Sequence, residues 1–209
     1  RIAEAAGVEV RAFDAVLEGG ALEHNGAGVI LTTRQCLLNP NRNPGWTQTR
    51  AEAFLEEAFN CRRVLWLDDG LMNDHTDGHI DNLARFIAED VVVCQAASGK
   101  DDPNAALYAT IAGELRAMQL TVHCIPSPGL YSNEEGDVMP ASHMNFIIGN
   151  ETVVVPTYDR KYGWAAVSAL QELFPDRKVV GIPSQYLLTG GGSFHCITQQ
   201  EPVSSPVAD

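Results

Sequence analysis

Apolar and polar positions along this chain follow two rhythms, one of strands and one of helices, and the two recur in a fixed order. Apolar runs bounded by turn residues predict strands at Val8–Phe13, Val16–Leu22 and Val29–Thr33. The last two form a hairpin turned through His24-Asn25-Gly26-Ala27-Gly28. The spacing of Ala53, Phe54 and Ala58 predicts a helix over Thr47–Asn60, followed by a strand at Arg63–Leu67. A second hairpin, Ile80–Ile87 with Val91–Gln95, precedes a helix over Asn104–Met118 and a strand at Thr121–Ile125. Pro103 stands at the start of that helix, where a missing N–H costs little. After a loop rich in Pro and Gly, Pro126–Pro140, a third hairpin joins Asn145–Ile148 to Val153–Pro156. A helix over Trp164–Phe174, a strand at Val179–Ile182 and a last strand at Phe194–Thr198 complete the pattern.

Hairpin, helix and strand thus occur three times as ββαβ units, an α/β organisation. Comparable turns fall at Gly20, Gly78, Ser142 and Gly192, a period of about 50 to 64 residues. Such a period indicates stacked supersecondary units, as in a propeller; an ordinary α+β sheet with coincidental hairpin spacing is the alternative. In a propeller these turns converge on one end of the axis. Glu18, Asp77, His79, Asp81, His143, Gly192, His195 and Cys196 would then meet there, although they are far apart in the chain.

Composition narrows the partners. The 209 residues suffice for one core, so 1–209 reads as a single domain. A net charge of −13 argues against nucleic acid, which needs clustered Lys and Arg, and is compatible with a small cationic substrate. No apolar run reaches the ~18 residues of a membrane span, and no signal-peptide core is present, which points to the cytoplasm. The opening Arg1-Ile2-Ala3-Glu4-Ala5-Ala6 reads as the tail of a helix already under way, so the domain is expected to be truncated on its N-terminal side. The five cysteines, Cys36, Cys61, Cys94, Cys124 and Cys196, form no Cys-x-x-Cys pair, so no disulfide framework and no metal site is expected. The first four lie in or beside apolar segments and are expected to be buried.

Cys196 differs, because it follows Gly190-Gly191-Gly192 and can sit at the mouth of a strand. His79 and Asp81 are two residues apart and would share one face of a strand. A thiol, an imidazole and carboxylates together are suited to a guanidinium substrate. Its N–H fork is held by two carboxylates, its carbon is attacked by a thiolate, and a histidine protonates the leaving ammonia. Cys196 as nucleophile, His79 as acid and base, and Glu18 and Asp81 as guanidinium holders fill those places.

These residues lie in stretches that resemble the agmatine deiminases of the guanidino-group-modifying (pentein) superfamily. The resemblance rests on Val16-Leu17-Glu18-Gly19-Gly20, Cys36-Leu37-Leu38-Asn39, Asn41-Arg42-Asn43-Pro44, Thr76-Asp77-Gly78-His79-Ile80-Asp81-Asn82 and Gly190-Gly191-Gly192 with His195-Cys196-Ile197-Thr198. It implies a pentein-type α/β propeller of five blades, about three of them present here. It also implies hydrolysis of agmatine to N-carbamoylputrescine and ammonia, as a step of putrescine and polyamine biosynthesis. The implied route runs through an amidino-thioether on Cys196, with His79 as acid and base, and with Glu18, Asp81, Asp77 and Gly192 around the substrate. No metal and no cofactor is implied, and a homo-oligomer is compatible. The family adds an aspartate from a segment N-terminal to this chain. Departures are His75, where an acidic residue is expected, Ser193-Phe194 before His195, Asp137-Val138-Met139 without a basic residue, and His143 in place of a tyrosine. They leave open a peptidylarginine deiminase acting on a C-terminal arginine, a non-catalytic guanidino-binding pentein, and an amidinotransferase.

Overall fold

The computed structural model describes residues 2–201. Its strands and helices fall into three like units. In the first, β1 (Glu23–His24) pairs antiparallel with β2 (Val29–Thr33), and β2 pairs parallel with β3 (Arg63–Leu67). A parallel neighbour requires a crossover. Helices α2 (Arg34–Leu37) and α3 (Gln48–Phe59) supply it, after a single turn α1 (Ile2–Ala6) at the start of the chain. The second unit repeats the order with β4 (Ala84–Phe86), β5 (Val91–Ala96), α4 (Ala105–Ala117) and β6 (Thr121–Pro126). The third does so with β7 (Ile147–Ile148), β8 (Thr152–Thr157), α5 (Arg160–Leu173) and β9 (Lys178–Pro183), followed by the short α6 (Gln185–Leu188). The ββαβ repeat expected from the hydrophobic pattern is therefore present three times, as three separate three-stranded sheets.

Local chemistry fixes the helix ends. The Thr47 hydroxyl accepts from Arg50 N at 3.3 Å, and Asn60 closes α3 in the left-handed region at φ 53°. The Asp159 carboxylate accepts from Tyr162 N at 2.7 Å and starts α5 at Arg160, four residues before the expected Trp164. The apolar spacing marks only the buried stripe of that helix; the cap sets its start.

The central strands β2 and β5 are buried along most of their length, while β8 buries Val153, Val155 and Pro156 and leaves Val154 half-buried. Leu31, Leu67 and Ile80 pack with Ile111 and Leu115 of α4 between the first and second sheets. Val93, Phe146, Val153 and Val155 pack with Leu170 of α5 between the second and third. Each fully buried aliphatic side chain contributes about 1.5–3 kcal/mol. A buried ion pair crosses all three units. Arg85 Nε donates to Glu23 Oε2 at 2.6 Å, Arg85 Nη1 donates to the Phe146 carbonyl at 2.6 Å, and Phe86 N donates to Glu23 Oε1 at 2.9 Å.

Four expectations are corrected. Val8–Phe13 forms no strand: it alternates correctly, but no ladder partner reaches it among the described residues, and Val8 and Val10 stay exposed. Val16–Leu22 forms no strand, because Ala21 N and Leu22 N are taken by the carbonyls of Glu18 and Gly19 in a 3-10 turn, and the first arm of the hairpin is the two residues after it, Glu23–His24. His79 and Asp81 lie in a second 3-10 turn rather than on a strand, held by Asn82 N on His79 O and Leu83 N on Ile80 O. Phe194–Thr198 is not a strand either, because the His195 and Cys196 amides donate to the side chain of Asn145 instead of to a ladder. Among the cysteines, Cys36, Cys61 and Cys94 are buried as expected and Cys124 is exposed, since β6 is a sheet edge.

Replacing Glu23 by Ala leaves the Arg85 charge buried and unpaired. Denaturant unfolding is expected to show a loss of about 3–5 kcal/mol. The pair of changes Glu23→Leu with Arg85→Met is expected to cost less than Glu23→Ala alone. A single-variant loss below about 1 kcal/mol would contradict the role given to the pair.

Candidate active site

Two turns and one side chain assemble the site. Asn145, just ahead of β7, accepts through Oδ1 from His195 N at 2.9 Å and from Cys196 N at 3.2 Å. Its Nδ2 donates to Cys196 Sγ at 3.1 Å and to Asn82 Oδ1 at 3.0 Å. One amide therefore fixes the cysteine loop against the 3-10 turn that carries Asp81. Asn145 was expected only as the first residue of the strand Asn145–Ile148; the one signal that could have marked it is that Asn145-Phe146 is among the stretches resembling the family.

On the other side of the sulfur, the Cys196 thiol donates to Asp81 Oδ2 at 3.4 Å. The same oxygen accepts from His195 Nδ1 at 2.9 Å. Asp81 is fully buried, and its second oxygen, Oδ1, has no hydrogen-bond partner among the described residues. His79 is also buried, and its Nε2 likewise lacks a partner. Buried polar atoms left unpaired cost about 1–3 kcal/mol each. Asp81 Oδ1 lies on the side of the thiol loop and His79 Nε2 on the side of Glu18, which makes them the points where a polar ligand gains most.

Burial first, and then the Asp81 charge, push the Cys196 thiol up to about 11. The residue as a whole is open to solvent, but its sulfur is packed against Asn145 and Asp81. The neutral thiol is the form that can donate to Asp81, so geometry and titration agree.

Glycine is required at two points by close approach. A Cβ on Gly20 would stand 2.6 Å from His79 Nδ1 and 2.7 Å from Asp81 Oδ2. A Cβ on Gly192 would stand 2.9 Å from Cys196 Sγ. Gly192, expected beside the substrate, thus sits directly against the thiol.

Glu18 and Asp77 are placed differently. Arg42, 8% exposed in its side chain, donates through Nε to both Glu18 oxygens at 2.8 and 2.9 Å, and through Nη1 to Asp77 at 2.8 Å. Its Nη2 donates to the Thr76 carbonyl at 2.7 Å. Asn41 and Arg42 hold the Asp77 carboxyl below the usual carboxylate range. Glu18 Oε1 is 4.0 Å from His79 Nε2. The turns therefore bring Cys196, His195, Asp81 and Gly192 together at one edge and Glu18, Asp77 and Arg42 at the other, with His79 between. Arg42 was not among the expected site residues, although Asn41-Arg42-Asn43-Pro44 belongs to the matched stretches. His143 is fully buried: its Nδ1 pairs with the Pro156 carbonyl at 2.8 Å, and burial lowers its titration to about 4, so it stays neutral at physiological pH. His75 is exposed, with its Cβ 3.7 Å from a Cβ placed on Gly191.

The model of the Porphyromonas-type peptidyl-arginine deiminase family matches residues 1–202. The chain belongs to that family. It is 40% identical over 212 residues to a Shewanella frigidimarina protein provisionally named an agmatine deiminase, covering 90% of this chain and 56% of that one. A cysteine-to-serine form of C. jejuni agmatine deiminase with substrate bound superposes with a TM-score of 0.86 at 31% identity, over 92% of this chain and 58% of that one. An Enterococcus faecalis agmatine deiminase superposes at 0.85 with 36% identity, over 96% and 61%. The chain spans little more than half the length of the curated relatives it matches. No helix among the described residues is long and apolar enough to cross a membrane.

Two outcomes follow. Gly20→Ala drives a methyl into His79 and Asp81, so activity of the full-length protein is expected to fall at least about tenfold, with stability lowered by about 1–3 kcal/mol in denaturant unfolding. Alkylation of Cys196 by iodoacetamide, followed by peptide mass spectrometry, is expected to be slow near neutral pH and to rise toward pH 11. A Cys196 that labels faster than Cys124 at neutral pH would contradict the raised titration.

Proposed function

We propose that the chain forms the cysteine-bearing part of a guanidinium hydrolase whose substrate is agmatine. The observation that carries the reading is Asp81: one oxygen engages the Cys196 thiol and the other is buried without a partner. A guanidinium N–H satisfies Asp81 Oδ1 and brings the guanidinium carbon over the sulfur. The bound cation offsets the carboxylate charge and lowers the thiol, so the nucleophile ionises as substrate arrives and its proton passes to His79. The thiolate then bonds to the guanidinium carbon. The C–N bond to one terminal nitrogen breaks, and that nitrogen leaves as ammonia with a proton from His79. His79 next takes a proton from water, the hydroxide adds to the amidino carbon, and the C–S bond breaks to release N-carbamoylputrescine and regenerate the thiolate. Glu18 Oε1 lies 4.0 Å from His79 Nε2, on the guanidinium-holding side of the histidine in this scheme. Asp77 acts through Arg42 rather than on the substrate. The three units form part of a pentein-type propeller, and the work is cytoplasmic, toward putrescine.

A second reading, hydrolysis of a C-terminal peptidyl-arginine, is favoured by the family description and by exposed His75 beside the glycine run, where a cationic imidazole would disfavour agmatine's free amine. Full-length protein assayed with agmatine and with a C-terminal arginyl peptide separates the two by relative kcat/KM. Ammonia and N-carbamoylputrescine are expected from agmatine. Cys196→Ala is expected to lose on the order of 10³-fold or more in kcat. Turnover that survives Cys196→Ala would sink the nucleophile assignment.

A further inference from the structure

Cys36 belongs to none of the steps above, yet it does not lie in an ordinary apolar setting. The Thr33 hydroxyl, which donates to the Gly78 carbonyl at 2.7 Å, also accepts from Cys36 N at 3.2 Å. This places the first residues of α2 directly behind the turn that carries His79. The sulfur of Cys36, a carboxylate oxygen of Glu18 and an imidazole nitrogen of His79 lie within 4.8 Å of one another. His79 is 95% buried, and the nitrogen on the Glu18 side, Nε2, has no hydrogen-bond partner among the described residues. An imidazole lone pair, a thiol and a carboxylate converging on one point form a donor set for a borderline divalent cation.

We propose that Glu18, Cys36 and His79 form a zinc-binding site, separate from Cys196, at which Zn2+ blocks His79. Three protein ligands leave the fourth tetrahedral position to water. The ligand atoms need to draw in by about an ångström to reach the 2.0–2.3 Å bonds zinc prefers. Glu18, with a half-exposed side chain, opens the path of entry. Its Oε1, which faces His79, also accepts from Arg42 Nε at 2.8 Å and exchanges that contact for the metal, while Oε2 keeps its 2.9 Å hydrogen bond from Arg42, an outer contact that orients the ligand. Binding forms the Zn–S, Zn–N and Zn–O bonds and releases one proton, that of Cys36, to solvent.

The inhibitory consequence rests on the role given to His79 above, whereas binding does not, so the experiment reads them apart. Full-length protein is titrated with Co2+ as a spectroscopic probe and with Zn2+ as its competitor. One equivalent of Co2+ is expected to give a thiolate-to-cobalt charge-transfer band that Zn2+ abolishes. Cys36→Ala, with Cys36→Ser as a second variant should the first fold poorly, is expected to lose the band and weaken binding at least about a hundredfold while keeping basal turnover. Cys196→Ala is expected to keep the band. Chelator-reversible inhibition of turnover by Zn2+ is expected in the native protein and absent in Cys36→Ala. A band that survives both Cys36 variants, one lost in Cys196→Ala, or no band at all overturns the site, whatever the turnover assay shows.

Discussion

The buried pair of Glu23 and Arg85 is the interaction on which the rest depends. Glu23 lies on the first strand of unit one and Arg85 on the first strand of unit two, while the Arg85 guanidinium reaches the carbonyl of Phe146 just before unit three. Three small sheets that share no ladder are therefore tied at one end by a single charged contact. The 3-10 turn with Asp81 and Asn82 lies immediately before Arg85, and Asn145 immediately before Phe146. The clamp thus sets the separation at which Asn145 Nδ2 reaches Asn82 Oδ1 and the cysteine loop is captured. Apolar packing on α4 and α5 supplies most of the stability, but it is non-directional. The charged contact is directional, and this is how stacked units hold a site in register.

The site has two electrostatic halves. Around Cys196, burial and the Asp81 charge keep the thiol protonated, and the Asp81 carboxylate is engaged through one oxygen only among the described residues. Around Glu18 the opposite holds: Arg42 saturates two carboxylates and fixes their geometry. His79 sits between a carboxylate that is already neutralised and one that is not. The proposed cationic substrate belongs on the Asp81 side, because Asp81 Oδ1 is buried there without a partner among the described residues. The Glu18 side behaves as a prebuilt frame, and the neighbouring thiol of Cys36 turns that frame into a donor set for a metal.

The repeat was legible in the sequence. Period and hairpin spacing located the three units, and the strands at Val29–Thr33, Arg63–Leu67 and Val91–Gln95 lie where the pattern put them, because strands buried on both faces leave continuous apolar runs. Val8–Phe13 and Phe194–Thr198 show the limit of that signal. Alternation says that a segment suits a sheet, but a strand exists only where a partner meets its hydrogen bonds, and partners are a tertiary matter. The family was legible as well, through stretches spread along the chain that the match over residues 1–202 later covered.

The sequence by itself determined the module, the choice of Cys196, His79, Asp81 and Glu18 as chemically matched groups, and the acidic character that suits a cation. Only the tertiary structure decided which of them touch. It put the Cys196 thiol on Asp81, gave Glu18 and Asp77 to Arg42, made Asn145 the organiser, and brought Cys36 out of the anonymous core to face His79. The physical reason is range. Propensity and hydrophobic period act over one or two turns of chain, whereas a hydrogen bond such as Cys196 to Asp81 joins residues 115 positions apart. Its geometry is set by how whole units pack.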